Sequence, residues 1–300
     1  MKPAKVYYIF IALLQFGMGV AVTGYVPYLL SIGITLGQVA LTNSIYWIAI
    51  VLFELPTGML ADGRSRAWSL RIGCLTFSAC GLTYALANGI WLAIIAEIFA
   101  GLSVALQSGA LQAWITDALD RNGEGEQRRK VFANGAIVSG CASLVGGVIG
   151  AGVACVNYRL IWVPMVILSI VAYQFSKKQM NGQGEPFNRV TEIIALKKSL
   201  SLLRASRDIR WVTWAFVLFG IIVCFNIYWS PFFKEYVGQF NLSWIWLIMY
   251  FPCVFGGWLV RQITVSQGRE GNYIVLSLIG TGLGMVLLAF SGSLHFAFVW

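Results

Sequence analysis

Charge is scarce in this 300-residue chain: Asp, Glu, Lys and Arg make up 11% of it, against about 25% in soluble globular chains. A soluble protein of this size could not cover its surface with so few charged side chains, and that class is excluded. Histidine is rarer still. His295 stands alone, so there is no imidazole pair for acid–base work and no His-based metal site. The 6 cysteines (Cys74, Cys80, Cys141, Cys155, Cys224 and Cys253) include no C-x-x-C pair and lie in or at the ends of apolar runs. They read as small packing residues rather than a disulfide framework or metal ligands. A Walker loop and the paired aspartates of a membrane prenyltransferase are absent, and a Ser or Cys nucleophile would lack its base. No enzyme activity, metal or cofactor is expected.

What is abundant is apolar. The chain is 58% hydrophobic, with a mean hydropathy of +0.75, 32 glycines and 12 tryptophans. Small residues pack helices closely in a bilayer and Trp favours its interfaces, so the composition reads as an all-α, polytopic membrane protein. A helix needs about 20 mostly apolar residues to cross the hydrocarbon core. Runs of that kind cover 6–30, 37–61, 68–88, 90–118, 131–155, 158–175, 211–233, 240–262 and 272–291, with a stub from Gly292 to Trp300. Lys2 and Lys5 before the first run resemble the start of a signal peptide. The run continues to Leu30, beyond a signal core of roughly 7–15 residues, and is read as the first span.

Basic residues fall in the gaps between these runs, which makes the net charge of +9 a matter of topology and anionic lipid, not of nucleic acid. Nineteen of the 21 lie in one set of alternate gaps, and only Arg159 and Lys234 lie in the other. The positive-inside rule therefore places the N-terminus in the cytoplasm. One gap is unusual. Residues 176–210 carry Gly182, Gly184 and Pro186, then Val190, Ile193, Ile194, Leu200 and Leu203 among Arg189, Lys197, Lys198, Arg204 and Arg207. That pattern predicts a flexible loop followed by a basic amphipathic helix on the cytoplasmic leaflet, with a plain solvated linker as the alternative. Three regions follow: a six-helix unit over 1–175, the linker 176–210, and an incomplete second unit over 211–300.

The loop after the second span reads Glu54-Leu-Pro-Thr-Gly58-Met-Leu-Ala-Asp62-Gly-Arg64-Ser-Arg66. It resembles the signature loop of the major facilitator superfamily of secondary transporters, with Gly58, Asp62 and Arg66 matching and Arg64 as an extra basic residue. Gly63, Ser65 and Ala67 depart from the pattern. Asn157-Tyr158-Arg159 at the sixth span resembles the family's Gly-Trp-Arg, and Ser108 to Asp117 resembles the cytoplasmic half of span four in some bacterial members. Gly146, Gly147, Gly150 and Gly152 form a small-residue face, but the Gly-Pro of the drug–proton antiporters is missing, as is their arginine where Glu97 stands. Gly58 and Asp62 align with Gly257 and Arg261 after span eight, and Pro27 with Pro231, as expected of two related halves.

The resemblance implies two six-helix halves, a substrate site between them at mid-membrane and a gate at Gly58, Asp62, Arg64 and Arg66. It also implies a multi-pass location in the plasma membrane, here that of a bacterium. Six spans followed by three and a stub predict a chain cut short, and one that does not transport by itself. Physically, Gly58 is expected to allow close helix approach, and Asp62 to pair with Arg64 or Arg66 beneath an adjacent helix N-terminus.

Charged side chains inside a span cost about 2.5–3.5 kcal/mol at its centre and mark function. Glu54 and Glu97 are the two well inside spans, with Asp117 at the cytoplasmic end of span four as an expected partner for loop arginines. Glu54 supports the loop cluster. At 100° per residue Glu97, Gly101, Ser108 and Gln112 fall within about 60° and predict one cavity-facing stripe. Glu97 lies roughly 10 Å from the external end, desolvated, and is the expected proton-coupling or substrate-contact residue. Asn226, Gln15 and Thr23 are further cavity candidates. The expected activity is proton-coupled transport of a small solute by alternating access. Two other readings stand beside it: a truncated remnant that inserts without transporting, and a ten-helix drug/metabolite carrier.

Overall fold

The computed structural model describes residues 1–180 and 225–262, together with Ser206, Trp211, Trp214, Ile279, Gly280 and Leu283. The side chains of Leu55, Met59, Leu60, Asp62, Phe225, Asn226, Ile227, Pro252, Cys253, Leu259, Val260, Arg261 and Gln262 lie outside the described residues. So do most of the 176–210 linker, the first part of span seven, span nine and the stub.

Each of the first six apolar runs forms one helix. These are α1 (Pro3–Ser31), α2 (Leu36–Gly63), α3 (Arg66–Leu86), α4 (Ile90–Arg121), α5 (Arg128–Val156) and α6 (Trp162–Gln179). Five stretches (Pro3–Ser31, Leu36–Glu54, Ile90–Arg121, Gly125–Val156 and Tyr158–Gln179) are long and apolar enough to cross a membrane. With no strand among the described residues, the protein is an all-α polytopic membrane protein. Local chemistry sets several ends. Pro3 opens α1, where its missing N–H costs nothing. The Ser65 hydroxyl accepts the Trp68 N–H at 3.0 Å and caps α3. Asn157 accepts the Arg159 N–H at 2.9 Å and starts a 3-10 turn, Tyr158–Ile161, that leads into α6.

Helix α3 is the most polar of the six because it is enclosed, packed on both α4 and α6. Its hydroxyls reach across to neighbours: Ser69 donates to the Leu106 carbonyl at 2.7 Å and Ser78 to that of Val166 at 3.4 Å. The remaining principal contacts are α1 with α5 and α6, and α2 with α4. Exchanging the first three helices for the second three leaves this set of contacts unchanged, a three-plus-three repeat within the six-helix unit. Glycine makes the α1–α5 approach possible. A Cβ on Gly146 would lie 2.5 Å from the Phe16 carbonyl oxygen, and one on Gly150 would meet that of Val20.

A seventh helical stretch, α7 (Phe225–Gln262), is broken at Gly238, whose φ of 76° and ψ of 168° no helix contains. Trp229 and Trp246 lie 17 positions apart, which a straight helix would separate by about 25 Å. Their rings are 5.7 Å apart. The chain therefore turns back at Gly238, where a positive φ favours glycine, and the two arms close on Trp229, Phe233, Leu242, Ile245 and Trp246. Span eight is the second arm, and it rests on α5.

Candidate functional site

Glu97 sits two turns into α4 and is 5% exposed, although a bare carboxylate is costly at that depth. Two phenols meet it. Tyr25 of α1 and Tyr84 of α3 both donate to Glu97 Oε1, the latter at 2.5 Å. Trp162, at the start of α6, holds the tyrosines in place. Its indole stacks on Tyr84 at 4.2 Å and 11°, and takes Tyr25 edge-on at 6.3 Å. Tyr28 bonds through its hydroxyl to the Tyr84 and Ala87 carbonyls and fixes the end of α3. Four helices thus converge on one carboxyl oxygen.

Beside this group lies a cavity of about 350 Å³. Asn43, Tyr46 and Trp47 of α2 line it, with Phe77 and Cys80 of α3 and Tyr250 of α7 on other sides. Seven of its sixteen lining residues are aromatic, Glu97 is the one acid, and none is Lys, Arg or His. Each phenol bond to an ionised carboxylate is worth about 1.5–3 kcal/mol. That is the same order as the cost of placing a charge in a span. The two phenol bonds therefore offset much of the cost of a charge on Glu97 at this depth.

A second cavity of about 280 Å³ lies toward the Arg121 end of α4, lined by Glu54, Thr57, Gly58, Arg66 and Ser108 among others. Thr57 is buried and donates to the Ala105 carbonyl at 3.1 Å. Arg66 forms an ion pair with Asp117 and donates to the Ala113 carbonyl at 3.2 Å, tying the start of α3 to α4. The Arg64 guanidinium stands 4.9 Å over the Trp68 ring. Asp62 is in the last turn of α2, and its side chain lies outside the described residues.

Several positions differ from the arrangement read in the sequence. The α4 stripe does not line one cavity. Gly101 is buried against α2, where a Cβ would come 2.9 Å from the Tyr46 carbonyl oxygen. This crossing seals Glu97, Ala100 and Val104 on one side from Ser108 on the other. Gln112 is exposed and Gln15 half-buried, and neither lines these two cavities. A Cβ on Gly58 would meet no atom of the described residues within 4 Å, whereas one on Gly101 would press on α2. Thr23 donates to the Gly147 carbonyl at 3.2 Å, a helix–helix bond rather than a cavity group. The Asn226 side chain lies outside the described residues.

Tyr25, Tyr84, Trp162, Asn43 and Tyr46 were not among the sequence candidates. One signal points to the first of them. A buried acid needs donors, and Tyr25 is six residues from the end of α1, at nearly the depth of Glu97, seven residues into α4.

At the Tyr158 end of the bundle, α6 and α7 are linked. Lys234 Nζ donates to the Tyr158 hydroxyl at 2.8 Å, and that hydroxyl donates to Gln239 Oε1 at 2.9 Å. Deeper down, Trp246 is 1% exposed and its Nε1 donates to the Ser143 carbonyl of α5 at 3.1 Å.

The family profile described as Major Facilitator Superfamily matches residues 8–300. The chain is similar to the crystal structure of the nucleoside transporter NupG, with a TM-score of 0.63 and 14% identity over 97% of this chain and 82% of that one. It is also similar to the crystal structure of an auto-inhibited POT family peptide transporter, with a TM-score of 0.53 and 13% identity over 96% of this chain and 58% of that one. At such identities the likeness is one of fold. No curated protein matches.

Proposed function

The chain belongs to the Major Facilitator Superfamily, and from that premise we propose a secondary transporter that moves a small solute through the cavity at Glu97 by alternating access. The observation that carries this reading is a carboxyl 5% exposed, held by two tyrosines in a cavity without a basic lining residue. In a bilayer such a group cycles between a neutral and a charged form only when a proton or a substrate group balances it. Glu97 is accordingly the coupling or substrate-contact residue, and Tyr25 and Tyr84 position it.

The rest of the reading follows the charge pattern. The N-terminus, the Arg121 end and the 176–210 linker face the cytoplasm, in the plasma membrane of a bacterium, and the linker divides a six-helix unit from a second unit. Gly58, Asp62, Arg64 and Arg66 form the cytoplasmic gate, with Glu54 and the Arg66–Asp117 pair supporting it. Alternation opens the Tyr158–Lys234–Gln239 link on the outer face. The test is flux by the full-length carrier in proteoliposomes under an imposed pH gradient, with and without Glu97→Gln. Loss of the pH dependence in the variant, with insertion intact, supports the reading. Activity unchanged between about pH 5.5 and pH 8 leaves Glu97 a structural role alone.

A further inference from the structure

We infer that the cavity at Glu97 takes an organic cation, its ammonium group set against the carboxylate and its body held between aromatic rings. This rests on the transporter reading and names the substrate class of the same site. Glu97 Oε1 takes both phenol donors, which leaves the second carboxyl oxygen without a phenol partner, and Glu97 lines the cavity. The titratable groups facing it are Tyr25 from α1, Tyr46 from α2, Cys80 and Tyr84 from α3, and Tyr250 from α7 across the space. Helix α6 contributes Trp162, which does not titrate. None of these supplies a positive charge, and among the described lining residues there is no cation to balance Glu97, which leaves room for one from solution.

The wall selects among solutes. An anion would meet Glu97 with no basic residue to receive it. A zwitterion needs a partner of each sign, and only one is present among the lining residues. A polyol needs many donors and acceptors, whereas beyond Glu97 and the phenols the wall offers little more than Asn43. A cation with an apolar body meets what is there: ring faces attract it, best of all those of tryptophan, and Trp47 and Trp162 both line the space. The volume of about 350 Å³ lies within the usual range for a small-molecule site. Proton and cation compete for one carboxylate. As the ammonium arrives the O–H bond of the protonated Glu97 breaks and its proton passes to water, with no change of oxidation state and no covalent bond to the cation.

Three probes of similar size separate the possibilities: benzyltrimethylammonium, neutral 2-phenylethanol and anionic phenylacetate, each measured by equilibrium dialysis against the full chain in lipid nanodiscs. The expected result is saturable binding of the cation at least about tenfold tighter than either other probe, strengthening as pH rises from about 5.5 to about 8. Glu97→Gln, which keeps an acceptor for both tyrosines, should lose that tenfold and the pH dependence together, and Glu97→Asp should restore both in part. Should Glu97→Gln misfold, proton release on cation binding to the unaltered chain gives the same answer, with release expected at acid pH and none for phenylethanol. Equal or tighter binding of phenylethanol or phenylacetate, or cation binding without proton release, overturns the inference and leaves transport standing. Cation binding with these traits but no counterflow by the full-length carrier in proteoliposomes keeps the ligand class and sinks the transporter reading.

Discussion

Tyr158→Phe deletes a single oxygen and should loosen the outer face of the bundle. That hydroxyl accepts from Lys234 at 2.8 Å and donates to Gln239 at 2.9 Å. The ring stays, and so does its contact with the ammonium, 5.2 Å from the centroid. What is lost is one charge-assisted bond and one neutral bond, worth about 1.5–3 and about 0.5–1.5 kcal/mol. Both groups are half-buried, so the lower ends apply and the loss is about 2 kcal/mol, or about 30-fold in the closed-to-open equilibrium at this face. Asn43 lines the cavity at Glu97 and serves as the reporter. In a cysteine-free chain carrying Asn43→Cys, an impermeant thiol reagent added outside should react up to about 30-fold faster once Tyr158→Phe is introduced. Lys234→Met should give a similar gain, and the two together little more, because they break the same link. Unchanged labelling in both single variants, each shown to be folded by gel filtration, would refute an outer gate here.

Other outcomes are equally checkable. Gly147→Ala places a Cβ within the Trp246 indole; the overpacking should lower the thermal unfolding midpoint by about 1–3 kcal/mol equivalent, largely relieved in the double variant with Trp246→Ala. Asp117→Asn breaks an ion pair whose side chains are 33% and 47% exposed, so stability should move by no more than about 1 kcal/mol, and a larger loss would show that the bilayer buries the pair. Asp62→Asn should leave insertion intact and lower transport, with wild-type flux removing the loop from the gate. Reporter fusions at residues 122 and 190 should both read as cytoplasmic, and an outside signal at either reverses the topology.

Helix positions in the first six spans were legible because a run of apolar residues of bilayer length has few alternatives. A loop arginine as partner for Asp117 was legible for a related reason, since opposite charges at the same depth seldom remain single; that it would be Arg66, which the loop pattern paired with Asp62, was not. The α4 stripe shows where such reasoning stops. A helical wheel fixes the direction of Gly101 and Ser108 but not where a second helix crosses, and α2 crosses at Gly101. The tyrosines around Glu97 were hidden because a tyrosine near a helix end reads as an interfacial anchor until its partner across the bundle is known. The reversal at Gly238 was visible only as a gap around Lys234.

The seat of Trp246 on α5 has a further consequence. In an α-helix the carbonyl of residue 143 points along the axis toward residue 147. With glycine at 147 no side chain shields that oxygen, and the indole N–H reaches it directly at 3.1 Å. The joint between the six-helix unit and α7 is thus made to a main-chain atom. Position 143 can change to any residue of serine's size without touching it, whereas position 147 has no such freedom. A Cβ on Gly19 would come 2.5 Å from the same Ser143 oxygen, so α1, α5 and α7 meet at one carbonyl, and the junction constrains positions 19 and 147 together.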